Sequence, residues 1–268
     1  MSAAERAIAD VLREIGPAVV AVSGGVDSMT LAHLAARHVT AGGLMVHAVS
    51  PAVPAAATAR VREHAQNHAW RLAVIDAREF ADPRYRANPV DRCYFCKANL
   101  YRAIAGRFAG LILSGTNRDD LGDYRPGLRA AAEEGVRHPF VEAGIGKAEI
   151  RALAGALQLD DLADLPAAPC LSSRIETGVV IAAADLALVE AVEEMLRAAL
   201  GPIDLRCRVG RTGVRIEVGG NELADFLADA RTPIKRNVEE TVARSGHRFL
   251  GYGPYRRGSA FLRAGADA

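Results

Sequence analysis

The chain has 268 residues, with 33 basic and 32 acidic side chains, a formal net charge of +1 and a hydrophobic fraction of 50%. This length favours two domains, and the composition provides enough apolar surface for a sizeable core. The near-neutral charge, without a block of like charge, argues against a nucleic-acid scaffold or a membrane-surface protein, and no apolar run is long enough to span a bilayer. Residues 1–6 are typical of an amphipathic helix and not of a signal peptide, so we expect a cytoplasmic protein.

The first part of the chain alternates strands and helices. The pattern predicts, in chain order, a helix over 2–14, a strand over 17–22, a helix over 29–37, a strand over 44–49, a helix over 55–70, a strand over 71–75, a loop over 76–92, a helix over 94–108, a strand over 111–114, a polar loop over 115–127, a helix over 128–134, an extended piece over 136–141 and a helix over 147–157. This order predicts an α/β fold with a doubly wound, mostly parallel sheet and ligands at the carboxyl ends of the strands.

The second part of the chain changes character. We predict a loop over 160–178, a helix over 183–200, two antiparallel strands over 203–209 and 214–218, helices over 222–230 and 234–244, and a final strand over 249–252. This pattern predicts a second, smaller α+β domain. We therefore divide the chain into a nucleotide-type domain over 1–168 and an α+β domain over 169–268.

The sequence Ser-Gly-Gly-Val-Asp-Ser at residues 23–28 lies between the first predicted strand and the helix that follows it. Gly24 and Gly25 allow a tight turn, and the hydroxyls of Ser23 and Ser28 then converge with backbone N–H groups at a helix N-terminus. This arrangement predicts an anion site, most simply for phosphate. The lysine of the Gly-x-x-x-x-Gly-Lys phosphate loop is absent. The pattern resembles the PP-loop of ATP pyrophosphatases, which cleave ATP between its α and β phosphates and transfer AMP to a substrate oxygen.

The four cysteines are Cys93, Cys96, Cys170 and Cys207. In a reducing compartment a structural disulfide is not expected. The Cys93-x-x-Cys96 pair has four possible interpretations: a redox pair, half of a zinc site, two ligands of an iron–sulfur cluster, or two buried thiols. Cys207 alternates with two arginines on a predicted strand, so we expect it to be a buried core thiol. The other three cysteines suit a four-iron cluster with one open iron or, with a histidine, a zinc ion.

Cys170 lies beside Ser172, Ser173 and Arg174. Hydroxyl donors and a positive charge lower the pKa of a thiol and make it more reactive. The sequence therefore predicts a reactive thiol here, and the alternative is an ordinary loop cysteine.

Two further pairs of charged residues are candidates in the second domain. Arg206 and Arg208 are two residues apart on a predicted strand, so they share a face. Their two guanidinium groups suit the binding of a phosphate or of paired carboxylates. The alternative is a solvated strand face. Glu194 and Asp225 lie on predicted helices, and their spacing alone indicates surface carboxylates.

Three motifs together resemble the LarE family of ATP-dependent sulfur transferases. They are the turn at 23–28, the loop over 115–127 that begins Gly115-Thr116-Asn117, and the segment over 169–174. These enzymes, pyridinium-3,5-bisthiocarboxylate mononucleotide synthases, mature the nickel-pincer cofactor of lactate racemase. The resemblance covers most of the chain and weakens after about residue 230.

The resemblance implies the following chemistry. ATP adenylates a carboxylate of pyridinium-3,5-biscarboxylic acid mononucleotide, and sulfur then displaces AMP to give a thiocarboxylate. Cys170 matches the sulfur-donating cysteine, which in some members is converted to dehydroalanine. In other members three cysteines hold a [4Fe-4S] cluster that carries an extra sulfide. The presence of Cys93 and Cys96 indicates the cluster type, with Cys170 as the third ligand.

The implied site residues fall into groups by role. Catalysis is expected at Cys170, Ser173 and Arg174. ATP binding is expected at Ser23, Gly24, Gly25, Asp27, Ser28, Gly115, Thr116, Asn117 and Asp120, with Asp27, together with Asp120 or Asp123, near a Mg²⁺ ion. Substrate phosphate is expected at Arg206 and Arg208, and Glu194 and Asp225 match acidic residues near the reactive site.

Two other functions stay open at this point. A tRNA 2-thiolation enzyme of the PP-loop class would use the same ATP chemistry on a nucleic acid, although the near-neutral charge and the single Cys-x-x-Cys argue against it. A non-enzymatic ATP- or metal-binding protein is the second alternative. We expect a pyridinium mononucleotide as substrate, sulfide or the protein's own cysteine as sulfur donor, and a homo-oligomer without membrane contact.

Overall fold

The computed structural model describes residues 2–39, 43–122, 125–166, 169–201, 203–219, 222–228 and 233–256. Its helices are α1 (Ala3–Glu14), α2 (Val26–His38), α3 (Ala55–Asn67), α4 (Pro83–Arg86), α5 (Arg92–Ala105), α6 (Pro126–Glu133), α7 (Pro139–Glu142), α8 (Lys147–Ala156), α9 (Asp160–Ala163), α10 (Ala183–Leu200), α11 (Glu222–Ala228) and α12 (Pro233–Arg244). Its strands are β1 (Ala18–Ala21), β2 (Leu44–Ala48), β3 (Arg71–Ile75), β4 (Leu111–Ser114), β5 (Leu205–Gly210), β6 (Gly213–Val218) and β7 (Phe249–Pro254). Among these helices, none is both long and apolar enough to cross a membrane.

The first of two compact units comprises Met1–Asp82 and Cys93–Ala168. In its described part, parallel strands form a sheet in the order β3-β2-β1-β4. The central strand β1 is buried on both faces: Val20 packs with residues of α1, α2 and α8, whereas Val19 packs with residues of α5 and α6. This arrangement confirms the predicted parallel α/β fold with helices on both sides. The strand order reverses between β1 and β4, and ligands of such sheets bind at the carboxyl ends on either side of this point.

The second unit comprises Pro83–Arg92 and Pro169–Ala268. Its sheet has the order β5-β6-β7, with β5 and β6 antiparallel as predicted and β7 parallel to β6. Helix α10 packs against β5, and Gly201, with a φ of +81°, ends that helix. Because glycine adopts this backbone conformation without strain, the predicted helix end at residue 200 agrees with the structure.

Residues 83–92 belong to the second unit, although the sequence pattern assigns them to the first domain. The buried Asn88 side-chain amide donates to the carbonyls of Glu176 and Val179 at 2.8 and 3.0 Å. The backbone N–H of Gly178 donates to the carbonyl of Asn88 at 2.9 Å. The side-chain contacts of Asn88 join residues 88 to 91 positions apart. Local periodicity carries no sign of such contacts.

Four segments predicted as loop or extended contain helical turns. Residues 115–127 include a 3₁₀ turn over Arg118–Gly122. Residues 76–92 include a 3₁₀ turn and α4, and residues 160–178 include α9 and a 3₁₀ turn over Leu171–Arg174. The extended piece predicted over 136–141 is confirmed only at its start, where Arg137 bridges Leu113 of β4, because α7 begins at Pro139. The fixed φ of proline suits the first position of a helix, which explains the early turn.

Candidate functional site

The turn at residues 23–28 joins β1 to α2, and glycine is required in it. Gly24 has a φ of +83°, and a Cβ there would lie 2.7 Å from the carbonyl oxygen of Ala57. Both the backbone conformation and the available space therefore exclude a side chain. Gly25 is the N-cap residue of α2 and provides no side-chain hydrogen bond. The first-turn N–H groups of α2 thus lack a side-chain cap and can donate hydrogen bonds to an anion.

Two serine hydroxyls hold this turn closed. The backbone N–H of Ser23 donates to Ser28 Oγ at 3.0 Å, and the two hydroxyl oxygens are also 3.0 Å apart. Ser28 Oγ lies 3.1 Å from the carbonyl of Gly25, to which it donates. Ser28 is buried, whereas Ser23 is exposed. The open face of the turn therefore combines the Ser23 hydroxyl with the positive end of the α2 dipole.

The loop after β4 lies directly against the first turn of α2. A Cβ on Gly115 would lie 2.7 Å from the backbone nitrogen of Ser28 and 2.8 Å from the carbonyl carbon of Asp27. The buried Asn117 side chain donates to Asp27 Oδ2 at 3.3 Å. Two motifs that are almost 90 residues apart in the sequence thus form one site at the carboxyl ends of β1 and β4.

Lys147 belongs to this site and was not predicted from the sequence. Its Nζ lies 2.8 Å from Asp27 Oδ1 and 2.6 Å from Asp27 Oδ2, and it is the first residue of α8. The Lys147 backbone N–H donates to Asp119 Oδ2 at 2.8 Å. One sequence signal was available: Lys147 is one of only three lysines in a chain whose other basic residues are arginines. A lysine that follows a glycine at a predicted helix start is then a candidate ligand for phosphate.

The remaining predicted residues of the 115–127 loop make contacts that shape it. Asp120 Oδ2 accepts from the Asn117 N–H at 3.1 Å, and Asp120 Oδ1 pairs with Arg125 at 2.7 Å. Thr116 Oγ1 lies 3.0 Å from Ser114 Oγ. Both Asp120 oxygens are therefore engaged in fixing the loop. Asp123, the alternative to Asp120, lies outside the described residues.

A cleft of about 710 Å³ opens at the carboxyl ends of β2 and β3. It is lined by residues Val49, Ser50, Pro51, Asp76, Arg78, Phe80 and Ala81. Arg78 has a φ of +58°, and its backbone N–H donates to Asp76 Oδ1 at 2.7 Å. Strained backbone of this kind is concentrated at ligand sites. The cleft lies on the same edge of the sheet as the turn at 23–28, and its volume is typical of small-ligand sites.

The Cys170 loop of the second unit is anchored by a buried arginine. Cys170 is exposed, whereas the Arg174 guanidinium is buried and donates to the carbonyls of Pro169 and Cys170 at 2.6 and 3.2 Å. Arg174 also donates to both carboxylate oxygens of Glu193 at 2.9 and 2.8 Å and to Ser173 Oγ at 3.0 Å. The guanidinium therefore fixes the backbone on which the Cys170 thiol is presented.

Glu193 completes this anchor and was not predicted from the sequence. It lies on α10, is 1% exposed, pairs with Arg174 and Arg197, and accepts a hydrogen bond from the Cys207 N–H at 3.1 Å. Burial alone would raise the pKa of Glu193, but the hydrogen bonds from Arg174 and the two positive charges hold it below its usual value. The predicted neighbour, Glu194, is exposed. Asp225 lies on α11, and its side chain is outside the described ones.

Arg206 and Arg208 both lie on β5, and each makes contacts within the second unit. Arg208 donates to Glu217 Oε2 at 2.9 Å and to the Ser173 carbonyl at 3.0 Å, so it contacts the Cys170 loop. Arg206 donates to the Leu205 carbonyl at 2.6 Å and lies over the Tyr255 ring. Burial lowers the pKa of Arg206 from its ordinary value, although an arginine stays charged in proteins.

None of the four cysteines, all of which lie in the described part of the chain, forms a disulfide. Cys207 is fully buried, which confirms its predicted place in the core, and burial raises the pKa of its thiol. Cys93 and Cys96 are half-buried and lie three residues apart near the start of α5, so they share one side of that helix. These two thiols belong to the first unit and Cys170 to the second. Their joint binding of a cluster therefore stays a prediction.

Comparison with known proteins identifies relatives along most of the chain. It is 36% identical over 220 residues to the uncharacterized protein slr1717 of Synechocystis sp., a match that covers 81% of each chain. It is also 30% identical over 183 residues to the uncharacterized protein MJ0830 of Methanocaldococcus jannaschii, covering 67% of this chain and 69% of the relative. This chain belongs to their family. No family model matches it.

A third relative of this chain has a name that states its function. Over 151 residues the chain is 33% identical to the pyridinium-3,5-bisthiocarboxylic acid mononucleotide synthase of Lactiplantibacillus plantarum. That match covers 55% of this chain and 54% of the synthase. The similarity supports a LarE-like family without assigning the chain to a particular member.

Proposed function

We propose that this chain is an ATP-dependent sulfur transferase that converts a carboxylate of pyridinium-3,5-biscarboxylic acid mononucleotide to a thiocarboxylate. The observation that carries the ATP part is the close contact of Gly115 with the first turn of α2, which assembles two distant motifs around a helix N-terminus without a side-chain cap. The substrate is suggested by the name of the Lactiplantibacillus relative.

In this proposal the first unit binds ATP. The N–H groups of α2 and the Ser23 hydroxyl bind phosphate oxygens, and Lys147 turns from Asp27 to a phosphate as the nucleotide enters. The cleft beside β2 and β3 accepts the nucleoside. Asp27 is then available to hold Mg²⁺, whose charge offsets that of the departing pyrophosphate.

The adenylation step activates a poor electrophile. An oxygen of the substrate carboxylate attacks the α-phosphorus, the bond from that phosphorus to the bridging oxygen breaks, and pyrophosphate leaves with the electron pair. Arg206 and Arg208 hold the substrate phosphate, since paired guanidinium groups suit such an anion. Glu194 and Asp225 remain proposed partners of a metal ion or water beside that phosphate.

The sulfur step uses the exposed Cys170. Its thiolate attacks the acyl carbon, AMP leaves with the electrons of the acyl C–O bond, and a thioester forms. Loss of the Cys170 α-proton to a base and cleavage of its Cβ–S bond then release the thiocarboxylate and leave dehydroalanine. Arg174 acts as a positioning residue, because it holds the carbonyls on either side of the Cys170 nitrogen.

An alternative sulfur route fits the same thiols. Thiolates are the usual ligands of iron–sulfur clusters, and Cys93, Cys96 and Cys170 are not in disulfides and not fully buried. Held by these three residues, a [4Fe-4S] cluster would supply an external sulfide and spare the Cys170 sulfur. The two routes differ in whether Cys170 is consumed.

The test offers the purified chain ATP, Mg²⁺ and the pyridinium substrate, and measures pyrophosphate, AMP and the mass of the product. We expect pyrophosphate only when the substrate is present, and a thiocarboxylate product. Cys170→Ala is expected to keep adenylation and lose the thiocarboxylate. Mass spectrometry after one turnover separates the routes, because sacrifice of Cys170 removes one H₂S from that residue.

Two results would contradict the proposal. If tRNA stimulates pyrophosphate release and gains sulfur while the pyridinium substrate does not react, the chain is a tRNA thiolation enzyme. If ATP binds without forming AMP or pyrophosphate with either substrate, the chain is a binding protein.

A further inference from the structure

A cluster of three histidines lies outside the site described above. His33 is on α2, His64 is on α3, and His68 is the C-cap residue of α3. We call these residues the histidine cluster. The four-residue spacing of His64 and His68 places both on the same side of α3, where they contact the His33 side chain of α2. All three residues belong to the first unit.

The imidazoles are close enough to share one ion. His33 Nε2 lies 2.9 Å from His64 Nδ1, and one ligand nitrogen from each of the three rings lies within 4.8 Å of the other two. Ligand nitrogens at the Zn–N distance of 2.0–2.1 Å are about 3.4 Å apart in a tetrahedral site. Small side-chain movements therefore bring the three nitrogens to coordination distance.

Asp161 orients one of these rings. Its Oδ2 lies 2.9 Å from His64 Nε2, so that nitrogen carries the proton and Nδ1 is directed toward His33. Metal-binding histidines are commonly held in this way by a carboxylate on the opposite ring nitrogen. The arrangement fixes the tautomer in which His64 can act as a ligand.

Hydrogen bonding alone explains only part of the cluster. The chain Asp161–His64–His33 is satisfied without a metal, but the His68 ring has no hydrogen bond in the described part of the chain and stands edge-on to His33, with ring centroids 4.5 Å apart. His33 and His64 are buried, whereas His68 is exposed. Trp70, whose ring centroid is 4.6 Å from that of His33, provides an apolar wall. The cluster therefore has two buried candidate ligands and one solvent-facing candidate ligand.

We propose that the histidine cluster is a divalent transition-metal site that joins α2 to α3 and is separate from the nucleotide site. Imidazole nitrogens favour zinc, copper, nickel and cobalt, whereas magnesium favours oxygen ligands. Three protein ligands leave a further coordination position for water or another small ligand.

The test uses the tag-free, 268-residue chain after removal of metal with a chelator. Cys93 and Cys96 are changed to serine in the protein used for the titration, because cysteine thiolates bind the same metals. Zn²⁺ is titrated against a chromophoric chelator, and Co²⁺ is added separately for absorption spectroscopy. We expect one Zn²⁺ per chain that excess Mg²⁺ does not displace, and a cobalt spectrum without a sulfur-to-metal charge-transfer band.

Variants assign the ligands. His68→Ala changes an exposed side chain, so the fold is expected to survive, and Zn²⁺ affinity is expected to fall at least tenfold. Asp161→Asn keeps all three imidazoles and is expected to weaken binding about 10- to 100-fold. His38→Ala, on α2 but outside the cluster, is expected to bind Zn²⁺ normally. Three results would overturn the proposed site. They are a folded protein that does not bind Zn²⁺, a His68→Ala variant with unchanged Zn²⁺ affinity, and a Co²⁺ spectrum with a sulfur-to-metal charge-transfer band. The assay does not involve ATP, so its failure leaves the proposed sulfur transfer standing.

Discussion

Replacing Lys147 with methionine tests whether this lysine is a phosphate ligand. The substitution removes the ammonium that now faces both Asp27 oxygens at 2.6 and 2.8 Å, and it keeps a flexible side chain of similar length. In the proposed function that ammonium moves to a phosphate of ATP. The variant should therefore fold normally and bind ATP weakly.

The structure sets the expected magnitudes. The Lys147 side chain is 40% exposed and the Asp27 side chain 21%, so the ion pair is solvated and contributes about 0–1 kcal/mol to stability. A hydrogen bond from an ammonium to a charged acceptor contributes about 1.5–3 kcal/mol. Loss of that bond corresponds to an ATP affinity about 10- to 150-fold weaker. The two effects are different enough in size to be distinguished.

Calorimetric titration with ATP measures the affinity, and urea denaturation measures the free energy of unfolding. Lys235→Met is the matched control, because Lys235 lies over the Phe226 ring in the second unit. Lys147→Arg keeps the charge and is expected to recover part of the affinity.

Unchanged ATP affinity in a folded Lys147→Met protein would refute the reasoning. So would an equal loss in the Lys235→Met control, since the effect would then not be specific to the site.

Three further changes have defined outcomes. Gly115→Ala brings a Cβ within 2.8 Å of the α2 backbone. We expect this variant to lower the free energy of unfolding, measured by urea denaturation, by about 1–3 kcal/mol and to weaken ATP binding. Gly122→Ala should change neither quantity, because a Cβ at that position meets nothing within 4 Å. Arg174→Met leaves Glu193 buried without its main partner, so unfolding free energy should fall by about 3–5 kcal/mol in the same assay; an equally stable variant would contradict the anchor. His47 is buried between the Val22 carbonyl and Thr58 Oγ1, and burial holds its pKa below the ordinary value. His47 therefore gains a proton at a higher pH in the unfolded chain than in the folded one. The free energy of unfolding should fall as pH drops below about 6.5, by up to about 1.4 kcal/mol per pH unit. In His47→Asn, denaturation at several pH values should show a free energy of unfolding that depends less steeply on pH.

The sequence predicts best what depends on local pattern. The alternation of β1 to β4 with helices, the antiparallel pair β5–β6 and the ends of α10 follow from hydrophobic periodicity and from glycine at a helix end. The turn at 23–28 was predicted because it needs glycine for a backbone conformation that other residues avoid.

Long-range pairing explains what the sequence did not reveal. Lys147 meets Asp27 across 120 positions, and Asn88 meets the 176–179 segment across 88 to 91. No local period encodes which of several polar residues will be drawn into a site by tertiary folding. The scarcity of lysine was the one compositional signal that pointed to Lys147.

The Cys170 loop changes how a neighbouring arginine is interpreted. An arginine four residues from a cysteine suggests a positive charge that activates the thiol. Here the Arg174 guanidinium is buried against Glu193, and its remaining donors hold the carbonyls of Pro169 and Cys170 and the Ser173 hydroxyl. Because Glu193 balances that charge inside the unit, Arg174 contributes chiefly by holding the thiol in position. In the proposed function, we therefore expect groups that face Cys170 from solvent, or the bound substrate, to activate its thiol.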